Sequence, residues 1–322
     1  MAATLPKLPV IVTEGDLDDK VEWFIDHLRA NNVSGNTVYA YVGAVASLAE
    51  FLKSNDLPTE TREIERRHIE KWQVWLQDQG YKDTTVHQRF RGAQRFFSWF
   101  ESVMDDLGES SYRSPMAKMS PPKLGNYQPR VLSFEDLKRI VGSTIGKSFE
   151  ERRDEALLRV FFDTGARRAE VAGLRWSRDK SLPRDIDLAE KTIYVVGKGD
   201  KDRYVHISPK TRDALRIYLA LRDKHPHHDL PWLWLGRKGR LTDSGIAQTI
   251  RDIGLRAGIP NLHAHDLRHA WRHHQDLAGT SREDLMALGG WSSDAMLRRY
   301  ASTEANQRAL IRARQLNLGD KL

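Results

Sequence analysis

The sequence predicts a mainly α protein with a small β hairpin or sheet, an α+β chain in two domains. Apolar residues recur at helical spacing from Asp16 to about Asp106, β-rich runs are confined to residues 192–207, and a Ser-, Pro- and Gly-rich stretch divides the halves. With 322 residues the chain is long enough for two separate cores.

In the first half, Val21, Phe24, Ile25 and Leu28 form one stripe, and Val38, Val42, Val45, Leu48 and Leu52 the next. Ile69, Trp72, Trp75 and Leu76 give a third, with Gly80 placed to end it, and Val86, Phe90, Ala93, Phe97 and Phe100 give a fourth. A four-helix unit over residues 16–107 follows, preceded by a tail over 1–15. The fourth helix also carries Arg89, Arg91 and Arg95 among His87, Gln88 and Gln94. That polar face suits a DNA backbone or groove, and equally suits a solvated basic surface.

Residues 108–130 lack apolar periodicity and contain Ser114-Pro115, Pro121-Pro122-Lys123 and Gly125, which predicts an extended linker. Lys118 and Lys123 could follow a phosphate backbone, and a plain tether has the same composition. The second domain spans 131–322. Ser133 and Asp136 have capping-box spacing, and a helix through Ala156, Leu157, Val160 and Phe161 ends near Gly165. Residues 192–196 and 203–207 read as a hairpin whose glycine-rich turn presents Lys198. Everything after Ser208-Pro209 reads as helical.

Bulk composition restricts function. Lys+Arg of 51 against Asp+Glu of 44 gives 51 − 44 = +7, compatible with a polyanionic partner. No cysteine is present, which removes disulfides, Cys-based zinc sites and cysteine nucleophiles. No run of 18 apolar residues occurs and residues 1–12 make a poor signal peptide, so an intracellular, membrane-free protein is expected.

Four separated motifs carry the chemistry. Arg167 and Glu170 form an Arg-x-x-Glu unit at a Gly165 turn, which in isolation is most often a surface salt bridge. Lys198 could protonate a departing alkoxide, with Lys201 and Arg203 as rivals. His265 and Arg268 lie on one helix face, with His269 beside them, and Tyr300 follows two arginines. Two arginine forks, a histidine and a tyrosine hydroxyl suffice to cleave a phosphodiester without metal or nucleotide. His269 and His273 at i, i+4 allow a metal reading, weakened by the absence of a His-Glu-x-x-His arrangement or an evident carboxylate ligand.

In order and spacing these motifs resemble the tyrosine recombinase (phage integrase) family. That family's Thr-Gly-Leu-Arg-x-Ser-Glu-Leu box matches residues 164–171 at Thr, Gly, Arg and Glu, departing at Ala166, Ala169 and Val171. Its Gly-Lys-Gly-x-Lys-x-Arg hairpin matches residues 197–203, and its His-x-Leu-Arg-His box is residues 265–269. Leu-Gly-His appears as Gly-Gly-Trp, with Trp291 nine residues before Tyr300, a replacement the family also uses.

The resemblance implies a helical core-binding domain, a linker and a catalytic domain that exchanges DNA strands through a 3′-phosphotyrosyl link. It implies Tyr300 as nucleophile, Arg167 and Arg268 on the phosphate, and Lys198 as general acid. His265 and Trp291 would assist and hold the phosphate, Glu170 and His269 would support, and Arg89, Arg91, Arg95, Lys201 and Arg203 would contact DNA. No cofactor and no metal are implied. Partners would be double-stranded DNA and a homotetramer on two sites, with residues 304–318 as an exchanged terminal helix; an accessory directionality factor stays open. A simple type without an arm-binding domain and a cytoplasmic, nucleoid-associated location are expected. Type IB topoisomerase-like nicking and resealing, or DNA binding without catalysis, are the alternatives.

Overall fold

The structure, a computed structural model, describes residues 14–125, 130–179, 181–197 and 202–291. The chain divides into two compact units, Met1–Tyr127 and Gln128–Leu322.

The first unit holds α1 (Leu17–Ala30), α2 (Gly35–Ser54), α3 (Arg66–Asp78) and α4 (Asp83–Asp106). The four stripes meet in one core of Leu17, Phe24, Leu48, Trp72, Phe90, Phe97 and Phe100, all buried. Phe96 sits edge-on to Phe24 and to Phe97 at 5.3 Å between ring centroids. Each such side chain contributes roughly 1.5–3 kcal/mol by leaving water.

The expected linker behaves differently. Tyr112 and Met116 belong to this core, and Tyr112 stacks edge-on against Phe100 at 5.0 Å. Gln94 donates to the Met119 carbonyl at 3.1 Å, and the His87 ring lies 3.0 Å from the Pro122 carbonyl. Isolated apolar residues fix this segment to α4, so its Ser/Pro composition reflects turns rather than a free tether.

In the second unit, α5 (Phe134–Gly142), α6 (Phe149–Thr164) and α7 (Arg168–Ala172) precede the sheet, and α8 (Pro209–Arg222) follows it. Strands β1 (Ile186–Asp187), β2 (Thr192–Val195) and β3 (Arg203–His206) form an antiparallel sheet in that order. Next come β4 (Leu235–Gly236), β5 (Gly239–Arg240), α9 (Asp243–Arg256), α10 (Ala264–Ala278) and α11 (Arg282–Gly289). The chain after Ser208 is therefore not wholly helical: β4 and β5 pair as a second hairpin. Strand β1 is likewise an addition to the expected hairpin. Leu157, Phe161, Ile193, Leu215, Ile250 and Leu267 join helices and sheet in one core. Ser133 and Asp136 make the expected capping box at the start of α5.

Candidate active site

Gly165 ends α6 in the left-handed region (φ 56°), which turns the chain sharply and makes Arg167 the N-cap of α7. Glycine is required there for a second reason. A Cβ at Gly165 would lie 2.2 Å from the Trp271 ring, whose indole N–H donates to the Asp163 carbonyl at 3.2 Å. The α6–α7 turn thus lies directly against α10.

Glu170, one turn into α7, faces back toward that start. Its Oε1 accepts from Arg167 Nη1 at 2.8 Å, and its Oε2 accepts from the Arg167 backbone N–H at 2.8 Å and from Arg203 Nη2 at 2.9 Å. Burial works against ionising this carboxyl, but the hydrogen bonds from Arg203 and Arg167 prevail and hold its pKa below the ordinary glutamate value. Arg168, adjacent in sequence, is engaged elsewhere, with Nη2 2.6 Å from Asp243 Oδ2 at the start of α9.

Arg268 lies inward on α10, 4% exposed. It donates through Nη1 to the Gly165 carbonyl at 2.5 Å and through Nη2 to the Gly289 carbonyl at 2.7 Å. Arg167 Nη2 donates to the next carbonyl, Gly290, at 3.2 Å, and Arg203 Nε donates to the preceding one, Leu288, at 2.7 Å. Three guanidinium groups thereby converge on three successive carbonyls at the C-terminal end of α11.

Such carbonyls lack helical partners and carry the negative end of the helix dipole, so together with Glu170 they offset repulsion among the cations. Gly290 is in the left-handed conformation (φ 63°) that closes α11. The Trp291 ring then lies beneath Arg268, 4.4 Å from its guanidinium carbon, and 6.1 Å from the Trp271 ring.

His265 lies in the first turn of α10 and meets His269 edge-on, with ring centroids 4.1 Å apart. Desolvation by its neighbours lowers the His265 pKa, and the positive charge of Arg268 lowers it further. The ring is therefore neutral near pH 7 and able to accept a proton. His273 and His274 lie edge to face at 5.3 Å, and His274 Nε2 lies 3.1 Å from the Leu132 carbonyl. His274 thus ties α10 to the beginning of the unit.

The structure brings together Arg167, Glu170, His265, Arg268, His269 and Trp291. Lys198, Lys201 and Tyr300, and the expected terminal helix over 304–318, lie outside the described residues. The hairpin that leads to Lys198 is described at its base, where Asp202 accepts from the Tyr194 hydroxyl at 2.6 Å and the Gly197 N–H at 3.1 Å. Arg203, expected at the DNA, is turned inward. Its side chain is 9% exposed and bound to Glu170 and Leu288.

Arg89 donates to Ser47 Oγ at 2.7 Å and lies over the Tyr81 ring at 4.2 Å, while Arg91 and Arg95 are exposed. Sequence reasoning also missed Trp271 and the run of carbonyls at 288–290. Backbone acceptors leave no mark in a side-chain motif, whereas the glycine at the 165 turn could have suggested a large neighbour.

Comparison with known proteins agrees with this geometry. Residues 130–307 match the phage integrase family, and residues 21–104 match the phage integrase N-terminal SAM-like domain. The tyrosine recombinase XerC of Azotobacter vinelandii is 30% identical over 278 residues, covering 85% of this chain and 86% of that protein. XerC of Roseiflexus sp. is 26% identical and covers 94% of this chain and 96% of its own length.

Among solved structures, the XerH site-specific recombinase bound to a palindromic difH substrate in a post-cleavage complex superposes with a TM-score of 0.71. It is 20% identical and covers 92% of this chain and 84% of its own. The Tn1549 transposon integrase in complex with transposon right-end DNA gives 0.69 at 15% identity, covering 94% and 100%. These two share the fold. With the clustered arginines, histidines and tryptophan falling inside the family's catalytic match, the chain belongs to the phage integrase family of tyrosine recombinases.

Proposed function

We propose that the protein is a site-specific DNA recombinase that cuts and rejoins double-stranded DNA through a 3′-phosphotyrosyl intermediate on Tyr300. One observation carries the reading: Arg167 and Arg268, from elements a hundred residues apart, donate to the adjacent carbonyls of Gly290 and Gly289. Two planar forks held side by side, one of them over Trp291, suit the two non-bridging oxygens of one phosphodiester.

In the reaction, the Tyr300 oxygen bonds to phosphorus and the bond to the 5′-oxygen breaks. Lys198 supplies the proton to that oxygen, and neutral His265 takes up the proton lost by the tyrosine. Arg167 and Arg268 stabilise the charge that grows on the non-bridging oxygens, Trp291 buttresses Arg268, and Glu170 and His269 support their neighbours. Attack by the 5′-hydroxyl of a second duplex reverses the step and reforms a phosphodiester, so bond energy is conserved and no nucleotide is consumed. Exchange between two duplex sites requires four active sites, hence a homotetramer. Arg91 and Arg95 of α4 would grip the backbone, and Lys201 would add a phosphate contact from the hairpin. No described helix is long and apolar enough to cross a membrane, and a nucleoid-bound location follows from the substrate.

Trapping on nicked suicide duplexes carrying inverted repeats from the flanking DNA tests this. The expected result is a covalent protein–DNA band that Tyr300→Phe abolishes. Tight binding of the same duplex with no band would favour a non-catalytic binder. Relaxation of supercoiled DNA without any site requirement would favour the topoisomerase-like reading.

A further inference from the structure

We propose that Arg203 is a positioning residue for phosphoryl transfer, acting through Glu170 and the 288–290 turn rather than by touching DNA; this rests on the recombinase reading above. Arg203 opens β3 immediately after Asp202, the residue that closes the base of the Lys198 hairpin. Its Nη2 holds Glu170 Oε2, the same oxygen that receives the Arg167 backbone N–H. Its Nε holds the Leu288 carbonyl, one and two residues before the carbonyls that orient Arg268 and Arg167. One planar side chain therefore ties the hairpin, α7 and the end of α11 together, and each tie leads to a group that would act on the phosphate.

Two further features separate this role from plain packing. Arg203 Nη1 is buried and, among the described residues, has no hydrogen-bond partner, which leaves a donor of a charged group desolvated without compensation. Gly290, besides closing α11, leaves the space Arg203 occupies: a Cβ there would come within 2.8 Å of Nη1. The guanidinium geometry is thus fixed from both sides, by Glu170 and by a glycine that nothing larger can replace without moving it. Lysine, a point charge without the planar fork, cannot hold Glu170 and Leu288 together.

The test compares Arg203→Ala and Arg203→Lys with wild type in the full chain, by single-turnover cleavage of a suicide duplex. The scissile link is either an ordinary phosphate or a phosphorothioate with sulfur at one non-bridging position. Misplacing catalytic groups by about 1 Å can cost on the order of 100-fold, so cleavage of the phosphate duplex is expected to fall by about that factor in both variants. The ratio of phosphate to phosphorothioate rates is expected to change at least about threefold, because altered arginine placement alters which oxygen is stabilised.

A smaller folded population lowers both rates equally and leaves the ratio unmoved, so an unchanged ratio overturns the proposal. So does full activity in Arg203→Lys. Duplex binding by the cleavage-deficient Tyr300→Phe protein is expected to keep its affinity and salt dependence when Arg203 is also replaced; a salt slope reduced by about 1 would instead make Arg203 a phosphate contact. If Arg203→Ala fails to fold, Arg203→Gln, shorter but still carrying one uncharged amide donor, is read in the same way. A wild-type protein that forms no covalent complex on any duplex would sink the recombinase reading itself, whereas a wild-type band with an unmoved ratio sinks only the role of Arg203.

Discussion

The arginines of the catalytic unit and those of the helical unit are held in opposite ways. Arg268 and Arg203 are buried, and with Arg167 they are fixed by Glu170 and by consecutive carbonyls. On α4, Arg91 and Arg95 lie open to solvent on one face of a helix whose other face is packed with phenylalanines. A group that must meet charge developing in a transition state gains from being placed in advance, since no reorganisation remains at the moment of reaction. Backbone grip has no such requirement. There a mobile cation that displaces counterions suffices, and its effect is read in the salt dependence of binding.

The most severe way to break the contrast is to remove the buried clamp. Arg268→Ala is expected to lower single-turnover cleavage about 10²- to 10³-fold, the cost typical of losing one preorganised donor. Affinity for an uncleavable duplex should change far less. A loss of binding that matches the loss of rate would place Arg268 with the α4 arginines instead.

Next in size is the turn that sets the clamp. Gly165→Ala puts a methyl group into the Trp271 ring and forces a side chain into the left-handed region. Overpacking and that backbone conformation together should cost about 2–4 kcal/mol, seen as a lower denaturation midpoint and accompanied by lost cleavage. A variant as stable as wild type would mean that Trp271 can move aside, and that the turn is not the rigid platform for Arg167 described above.

Much of this was legible in the chain, and the parts that were not have definite causes. The four stripes gave α1–α4 because long amphipathic helices repeat their signal over several turns. Boxes around Arg167, Arg268 and Trp291 located the site because their chemistry is carried by side chains. Strands β1, β4 and β5 span two residues each, too few for any period to register. Tyr112 and Met116 are isolated anchors inside a Ser/Pro-rich segment, so composition pointed to a tether where packing made a brace.

Arg203 is the instructive case, because the signal for its burial was present. Val205 is buried in β3 while Tyr204 and His206 are exposed, and a period of two puts Arg203 on the side of Val205, inward. Motif position alone suggested DNA; strand alternation pointed to the interior.

A smaller effect is expected at the surface of α4. Arg91→Ala and Arg95→Ala should each reduce the slope of log K against log salt by about 1 and weaken binding alike on all duplexes, with cleavage unchanged at saturating DNA. Arg89→Ala should alter the slope less and thermal stability more, since its guanidinium is engaged by Ser47 and Tyr81. Equal slopes for all three would erase the distinction drawn between them.

The smallest expected effect concerns a proton at the edge of the buried cluster. His265 has a lowered pKa, first from desolvation and then from the charge of Arg268. The folded, DNA-free protein therefore binds that proton less readily than the unfolded chain, whose histidine titrates near pH 6.5. The contribution of this group to stability is fully present above about pH 6.5 and declines as pH falls below it, because the unfolded state takes up a proton that the folded site resists. NMR titration of the His265 ring, assigned by His265→Gln, should give a midpoint below 6.5 in the free protein. A bound phosphodiester brings a negative charge to the same cluster and should move the midpoint up. A free-protein midpoint at or above the ordinary value would mean that Arg268 and burial do not govern this ring. The neutral base assigned to the tyrosine's proton would then have to be another group.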